Sequence, residues 1–172
     1  MQTHLVFTVI AKDRPGLVER MAEVIAGLGG NWIESSMARL GGEFAGIVRV
    51  AIAADKSKEL VGQLEALSAD GIDITLRSDK DGDETPVGAS ARLDLVSQDH
   101  PGILRDITHV LSEKGVSIEH LETEVAAGSM QGEAMFKARA DLRLPVDLDP
   151  SDLSEALQET AGDLMADVNL VD

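Results

Sequence analysis

The chain contains no cysteine and no tyrosine, and only one tryptophan and three phenylalanines in 172 residues. Without cysteine there is no disulfide scaffold, no thiolate nucleophile and no cysteine-based zinc or iron–sulfur site. Aromatic residues make up 2%, too few for the stacking platforms that single-strand binders use. Positive charge is scarce as well: 15 Lys and Arg stand against 31 Asp and Glu, a net charge of −16. A protein that binds nucleic acid by itself needs a basic face to displace counterions from phosphates, so direct binding to DNA, RNA or an anionic membrane is not expected. Acidity of this size keeps a chain dispersed through self-repulsion. No apolar run approaches the roughly 18–20 residues of a membrane span. The opening Met1-Gln2-Thr3-His4-Leu5 lacks the basic start and apolar stretch of a signal peptide. These absences lead us to expect a cytoplasmic protein with no membrane contact.

What is present suffices for a core. Apolar residues make up 44% and charged ones 27%, the balance of a folded chain. At about 100–200 residues per domain, the length allows one ordinary domain or two small ones. An internal repeat decides for two. Lys12-Asp13-Arg14-Pro15-Gly16-Leu17 recurs as Gln98-Asp99-His100-Pro101-Gly102-Ile103, 86 positions further on. The same displacement pairs Phe7 with Leu93, Val9 with Leu95, Met21 with Ile107, Ile25 with Leu111 and Gly29 with Gly115.

Each copy reads alike. Leu5, Phe7 and Val9 alternate as in a strand, as do Leu93 and Leu95,. Leu17, Met21, Val24, Ile25 and Leu28 then follow helical spacing, echoed by Ile103, Ile107, Val110 and Leu111,. Gly29 and Gly115 suit helix ends. Residues 31–40 and 43–53 are two extended runs around Gly41-Gly42, a hairpin signal. Their counterparts are roughly 117–126 and 130–141, turning at Ala127-Gly128-Ser129. A second helix carries Leu60, Val61, Leu64 and Leu67. Its counterpart opens on Asp149-Pro150, a cap followed by Pro at the first helical position, and continues through Leu153, Leu157 and Leu164. A last strand holds Ile72, Ile74 and Leu76, matched by Val168 and Leu170. The order β-α-β-β-α-β, twice, is the ferredoxin-like split unit. This α+β arrangement places both helices of each copy on one face of a four-stranded antiparallel sheet.

Residues 79–86 are polar, Gly/Pro-punctuated and without periodicity, so they read as a linker between domains at 1–78 and 87–172,. The spacing of their aspartates is wrong for a calcium loop. Through Pro86 the chain has 9 basic and 14 acidic residues, net −5; the remainder has 6 and 17, net −11. Domains this small bury only about 60% of the surface their unfolded chains expose. Val6 and Ile10 lie on the opposite side of strand one from Phe7, so that sheet face is expected to pack against the other copy or another subunit.

The sharpest local feature is Asp-x-Pro-Gly between first strand and first helix. Pro suits a helix start and Asp suits its cap, but Gly in a first helical turn costs about 1 kcal/mol relative to Ala. One reason for it is close approach: without a Cβ, a ligand reaches the unpaired amides, which the helix dipole makes an anion site. Asp13 or Asp99 nearby would receive an ammonium, so the junction suits an amino acid. The plainer alternative, that the motif only opens a helix, is the one that periodicity and spacing alone favour. Asn31 and Ser117 read as turn residues and Trp32 as packing. His4, His100, His109 and His120 fit no metal spacing, and no catalytic elbow, phosphate loop or zinc-protease helix occurs. We therefore expect no enzyme, no metal and no cofactor.

The tandem β-α-β-β-α-β chain with Asp-x-Pro-Gly after each first strand resembles a pair of ACT domains, small regulatory modules that bind amino acids. The string Asp13-Arg14-Pro15-Gly16-Leu17-Val18, with Asn31-Trp32-Ile33-Glu34-Ser35-Ser36-Met37-Ala38 and Leu40-Gly41-Gly42-Glu43-Phe44-Ala45, is similar to the glycine cleavage system transcriptional repressor family. The resemblance implies an amino-acid effector held between the first βα loop of one domain and the second strand of a neighbour. On this sequence those positions are Asp13, Arg14, Pro15, Gly16 and Leu17 with Asn31 and Ile33, and Asp99, His100, Pro101, Gly102 and Ile103 with Ser117. The second copy departs from the first at His100 and Ser117 and lacks the Gly-Gly-Glu-Phe hairpin, so equal sites are not expected. The resemblance further implies a transcriptional regulator of glycine metabolism acting through a protein partner, with a homodimer as the assembly. A ligand-independent interaction module is the alternative.

Overall fold

The structure, a computed structural model, describes residues 1–78, 86–128 and 132–171. The chain divides into two units, residues 1–82 and 83–172. In the first, β1 (Gln2–Lys12), α1 (Leu17–Gly27), β2 (Asn31–Leu40), β3 (Glu43–Ala53), α2 (Ser57–Glu65) and β4 (Ile72–Ser78) follow in that order. The second repeats it as β5 (Ala89–Gln98), α3 (Ile103–Glu113), β6 (Ser117–Ala127), β7 (Ala134–Leu144), α4 (Pro150–Gln158) and β8 (Met165–Leu170). Both sheets are antiparallel, ordered β2-β3-β1-β4 and β6-β7-β5-β8. Two ferredoxin-like units with helices on one face are thus confirmed.

Period-two burial drives each sheet onto its helices. Leu5, Phe7, Val9 and Ala11 of β1 and Val48, Val50 and Ile52 of β3 are buried against Leu17, Met21 and Ile25 of α1 and Leu60 and Leu64 of α2. Leu93, Leu95, Ala140, Leu142, Ile107, Leu111, Leu153 and Leu157 build the second core in the same way. Trp32 packs on the edge of the first core, as expected of it. Gly41 and Gly42 both adopt positive φ, +60° and +80°, the conformation of a type I′ hairpin turn. Gly29 and Gly115 end their helices at φ +75° and +70°.

Two readings change. Helix α4 stops at Gln158; Leu164 is buried but lies in the loop leading into β8, beyond the exposed Gly162. Strand β7 begins at Ala134 and extends to Leu144, because Leu142 and Leu144 are both core residues; Ser129 and Met130 lie outside the described residues. The edge strands β2 and β6 also carry a bulge each that no sequence pattern announced, at Ile33 between Trp32 and Glu34 and at Glu119 between Ile118 and His120. The expected linker lies, up to residue 85, outside the described residues.

Asp149 caps α4 as expected, accepting from the Ser151 amide at 2.8 Å and its hydroxyl at 2.6 Å. These bonds hold its carboxyl below the usual carboxylate range. A depressed folded pKa gives a contribution that is complete above the unfolded value and is lost as pH falls through the folded one. Asp149→Ala is therefore expected to lower the thermal midpoint at neutral pH. The difference from the parent should shrink on acidification below the normal carboxylate range, as followed by circular dichroism.

Candidate functional site

The strand–helix junction is built differently from a simple helix start. Gly16 sits at φ +89°, ψ 1° and Gly102 at φ +87°, ψ 2°, the conformation required of the third residue of a type II turn that has Pro second. Both glycines precede their helices and do not lie inside the first turn. Their carbonyls accept the first helical bonds, from Arg20 at 2.9 Å and Asp106 at 3.0 Å. The glycine is thus explained first by backbone conformation, since a Cβ strongly disfavours positive φ. Neither helix has a side-chain cap, so Asp13 and Asp99 do not serve as one. Their backbone amides instead bond to the facing hairpin, Asp13 to the Gly42 carbonyl and Asp99 to that of Ala134, both at 2.9 Å.

The absence of a cap leaves the leading amides of α1 open, because the first N–H groups of a helix have no intrahelical acceptor. A Cβ placed on Gly16 would meet nothing within 4 Å. The clearing opens into a hollow of about 360 Å³ lined by Arg14, Pro15, Gly16, Leu17, Arg20, Asp70 and Ile72. Two guanidinium groups thus flank a helix N-terminus, a combination that attracts a carboxylate. Arg14 donates to the Asp70 carbonyl and Arg20 lies 3.6 Å from the Asp70 carboxylate, which fixes both arginines at the rim. Asp13 is paired with Arg39 at 3.3 Å, so a ligand ammonium would have to compete with that guanidinium.

The second junction has an exposed arginine beside it in place of a clearing. The Ile103 amide donates to the His100 carbonyl at 3.2 Å. The Arg105 guanidinium lies 3.2 Å from where a Cβ on Gly102 would stand and bonds to Asp106 at 3.1 Å. Asp106 also takes the place that Arg20 holds in the first copy. Asp163 accepts from the Gln98 amide at 2.7 Å, adding negative charge where the first junction is cationic.

Asn31, Ile33 and Ser117 do not join these groups within their own units. Asn31 is level with Ala51 and His4, whereas Lys12 is level with Glu43 at the other end of the sheet. Eight residues at about 3.3 Å each separate the two levels by roughly 26 Å. Ser117, level with Arg143 and Ser90, is equally far from Gln98. Arg20 was legible in principle, one helical turn beyond Leu17; Asp70 and Ile72 reach the hollow only through the tertiary fold. Among the described residues no group of His, Asp and Glu is arranged to hold a metal, and no helix is long and apolar enough to cross a membrane. Larger hollows lie over the second sheet, of about 570 and 390 Å³. The smaller of these is walled by exposed groups including the Asp94–Arg139 pair at 3.1 Å, which raises the Arg139 pKa.

Comparison with known proteins bears on the fold. Residues 3–77 match the ACT domain family model. A crystal structure of an unknown protein from Galdieria sulphuraria is similar over 100% of both chains, with 28% identity and a TM-score of 0.86. A candidate glycine cleavage system transcriptional repressor covers 100% of this chain and 99% of its own at 19% identity, with a TM-score of 0.72, a likeness of fold. No curated protein matches.

Proposed function

We propose, from the premise that this chain carries an ACT domain over residues 3–77, that it is a non-catalytic regulatory protein whose first unit binds a free amino acid. The observation that carries this reading is the uncapped, side-chain-free clearing at Gly16 between Arg14 and Arg20. A ligand carboxylate would sit over the open amides of α1, and its ammonium would be met by Asp13, released from Arg39. Asn31 and Ile33 would contribute only from a neighbouring unit, given their distance from the junction within one. Binding acts on a partner only if the ligand favours one arrangement of the protein over another, with couplings of about 1–3 kcal/mol. The partner is a protein, since an excess of 16 negative charges repels nucleic acid. Regulation of glycine-related transcription through a DNA-binding partner in the cytoplasm is the specific form we put forward.

The second unit supports a different role. Its junction has Arg105 lying beside Gly102 and carries Asp99, Asp106 and Asp163, so we assign it to ligand-independent contact with a protein.

Thermal melting with each common amino acid tests the proposal. A ligand at about 100 times its dissociation constant adds about 2.7 kcal/mol, and glycine or serine is expected to give the shift. If no amino acid raises the midpoint at millimolar concentration, the effector reading fails.

A further inference from the structure

The two sheets share one topology but present different outer faces. Three successive levels across the first sheet, read from β2 to β4, are Glu34-Arg49-Val6-Arg77, Ser36-Ile47-Thr8-Thr75 and Ala38-Ala45-Ile10-Asp73. These side chains point away from the helices, since their neighbours Leu5, Phe7, Val9, Val48 and Val50 are buried beneath α1 and α2. The corresponding levels of the second sheet are His120-Asp141-Arg92-Asn169, Glu122-Arg139-Asp94-Asp167 and Glu124-Lys137-Val96-Met165. The second face is charged at eight of these positions and laced with ion pairs, Arg92–Asp141 at 3.3 Å and Arg139–Asp94 at 3.1 Å. It is the ordinary solvated side of an antiparallel sheet. The first face is charged at four positions, two of them paired with each other as Arg49–Glu34 at 3.4 Å, and has Ile10 and Ile47 each 55% exposed within a field of Thr, Ser and Ala. A sheet face with no net charge and two exposed isoleucines, on so acidic a chain, fits an interaction surface.

We infer that the outer face of the first sheet docks on the same face of a second copy of this chain. Charge selects that occupant. The four charges sum to zero, and because Glu34 and Arg49 already pair within each copy, Arg77 is the charge that the contact has to match. A two-fold axis lying between stacked sheets brings Arg77 against a carboxylate in either orientation. It meets Glu34 of the second copy when the axis runs along the strands, because level is kept and strand order is reversed. It meets Asp73 when the axis runs across them, because strand order is kept and level is reversed. In both cases Ile47 stays near the centre, and Val6 and Ile10 fall inside the contact. Size agrees as well. Four strands at about 4.8 Å and seven residues at about 3.3 Å give roughly 450 Å² per copy. Twice that footprint is close to the floor of about 1,000 Å² for specific interfaces. The dimer is therefore reversible and concentration-dependent, with an isologous contact and sheets stacked as in an aligned sandwich.

Sedimentation equilibrium on the full chain, from low to several hundred micromolar, tests this. The parent is expected to follow a monomer–dimer equilibrium, Ile47→Asp to remain monomeric throughout, and Val96→Asp on the second sheet to match the parent. Arg77→Glu should weaken the dimer by about tenfold or more, with recovery on combining it with Glu34→Arg or with Asp73→Arg, whichever the axis dictates. Far-UV dichroism and Trp32 fluorescence report folding; should Ile47→Asp not fold, Thr75→Lys, at the same level on the edge strand, replaces it. A parent that stays monomeric overturns the inference, which includes the outcome in which the face takes an unrelated protein. A dimer that survives Ile47→Asp or Thr75→Lys, or that Val96→Asp breaks, overturns it too.

Discussion

Phe7→Ala is expected to lower the stability of the first unit by about 3–5 kcal/mol, the range for removing a buried aromatic ring and leaving a cavity. Phe7 is fully buried at the centre of β1, with Val48 opposite it on β3 and Leu76 opposite it on β4. It sits in a core that also holds Leu17, Met21, Leu60 and Leu64. Because β1 is the inner strand and bonded on both sides, its backbone cannot collapse into the space. Small domains have only about 5–15 kcal/mol in total, so the variant is left marginal at physiological temperature. Trp32 is the sole tryptophan and packs on this same core; its fluorescence followed through a urea titration therefore reports the loss directly. A change below about 1 kcal/mol would mean that the core tolerates the void, contrary to the close packing of protein interiors.

The second large effect concerns the ligand. Arg14→Ala is expected to raise the dissociation constant of the amino acid that stabilises the protein by about 10- to 100-fold, the loss of one charge-assisted hydrogen bond worth roughly 1.5–3 kcal/mol. His100→Ala, the equivalent change in the second copy, is expected to leave binding unaltered. The comparison matters because both residues precede a Pro-Gly turn of the same shape, so any effect of the turn itself appears in both variants. Titration calorimetry decides between them. Equal weakening by the two substitutions would place the ligand at both junctions, and weakening by neither would move it elsewhere.

Much of the architecture was legible because local and tertiary preferences agree. Gly41-Gly42 dictates a tight hairpin, and β2 and β3 run over the limits read from the pattern, residues 31–40 and 43–53. Asp149-Pro150 states its helix start in two consecutive residues. Where the reading failed, side chains and backbone were answering to partners distant in sequence. Leu164 keeps helical spacing with Leu157 but is buried from a loop, since its hydrophobicity reports burial and not its backbone state. Asp13 looked like a cap, but its carboxylate pairs instead with Arg39, at the far end of β2. The Pro-Gly pair was legible as a type II turn from its composition alone, and the positive φ at both glycines explains what a first-turn helical residue could not. The difference between the two junctions turns on single exchanges, Arg14 for His100 and Arg20 for Asp106, whose effect depends on what folds over them.

The repeated bulge has a consequence for how the molecule keeps to itself. An outermost strand normally offers an evenly spaced row of amides and carbonyls onto which any extended peptide can be added. At Ile33, and again at Glu119, one surplus residue throws that row out of step, because bulged strands bend and twist locally. A peptide zipping along either margin loses alignment within a few residues of where it begins. The duplication has copied the irregularity together with the fold, so one edge of each half carries the same protection against runaway sheet growth into fibrils.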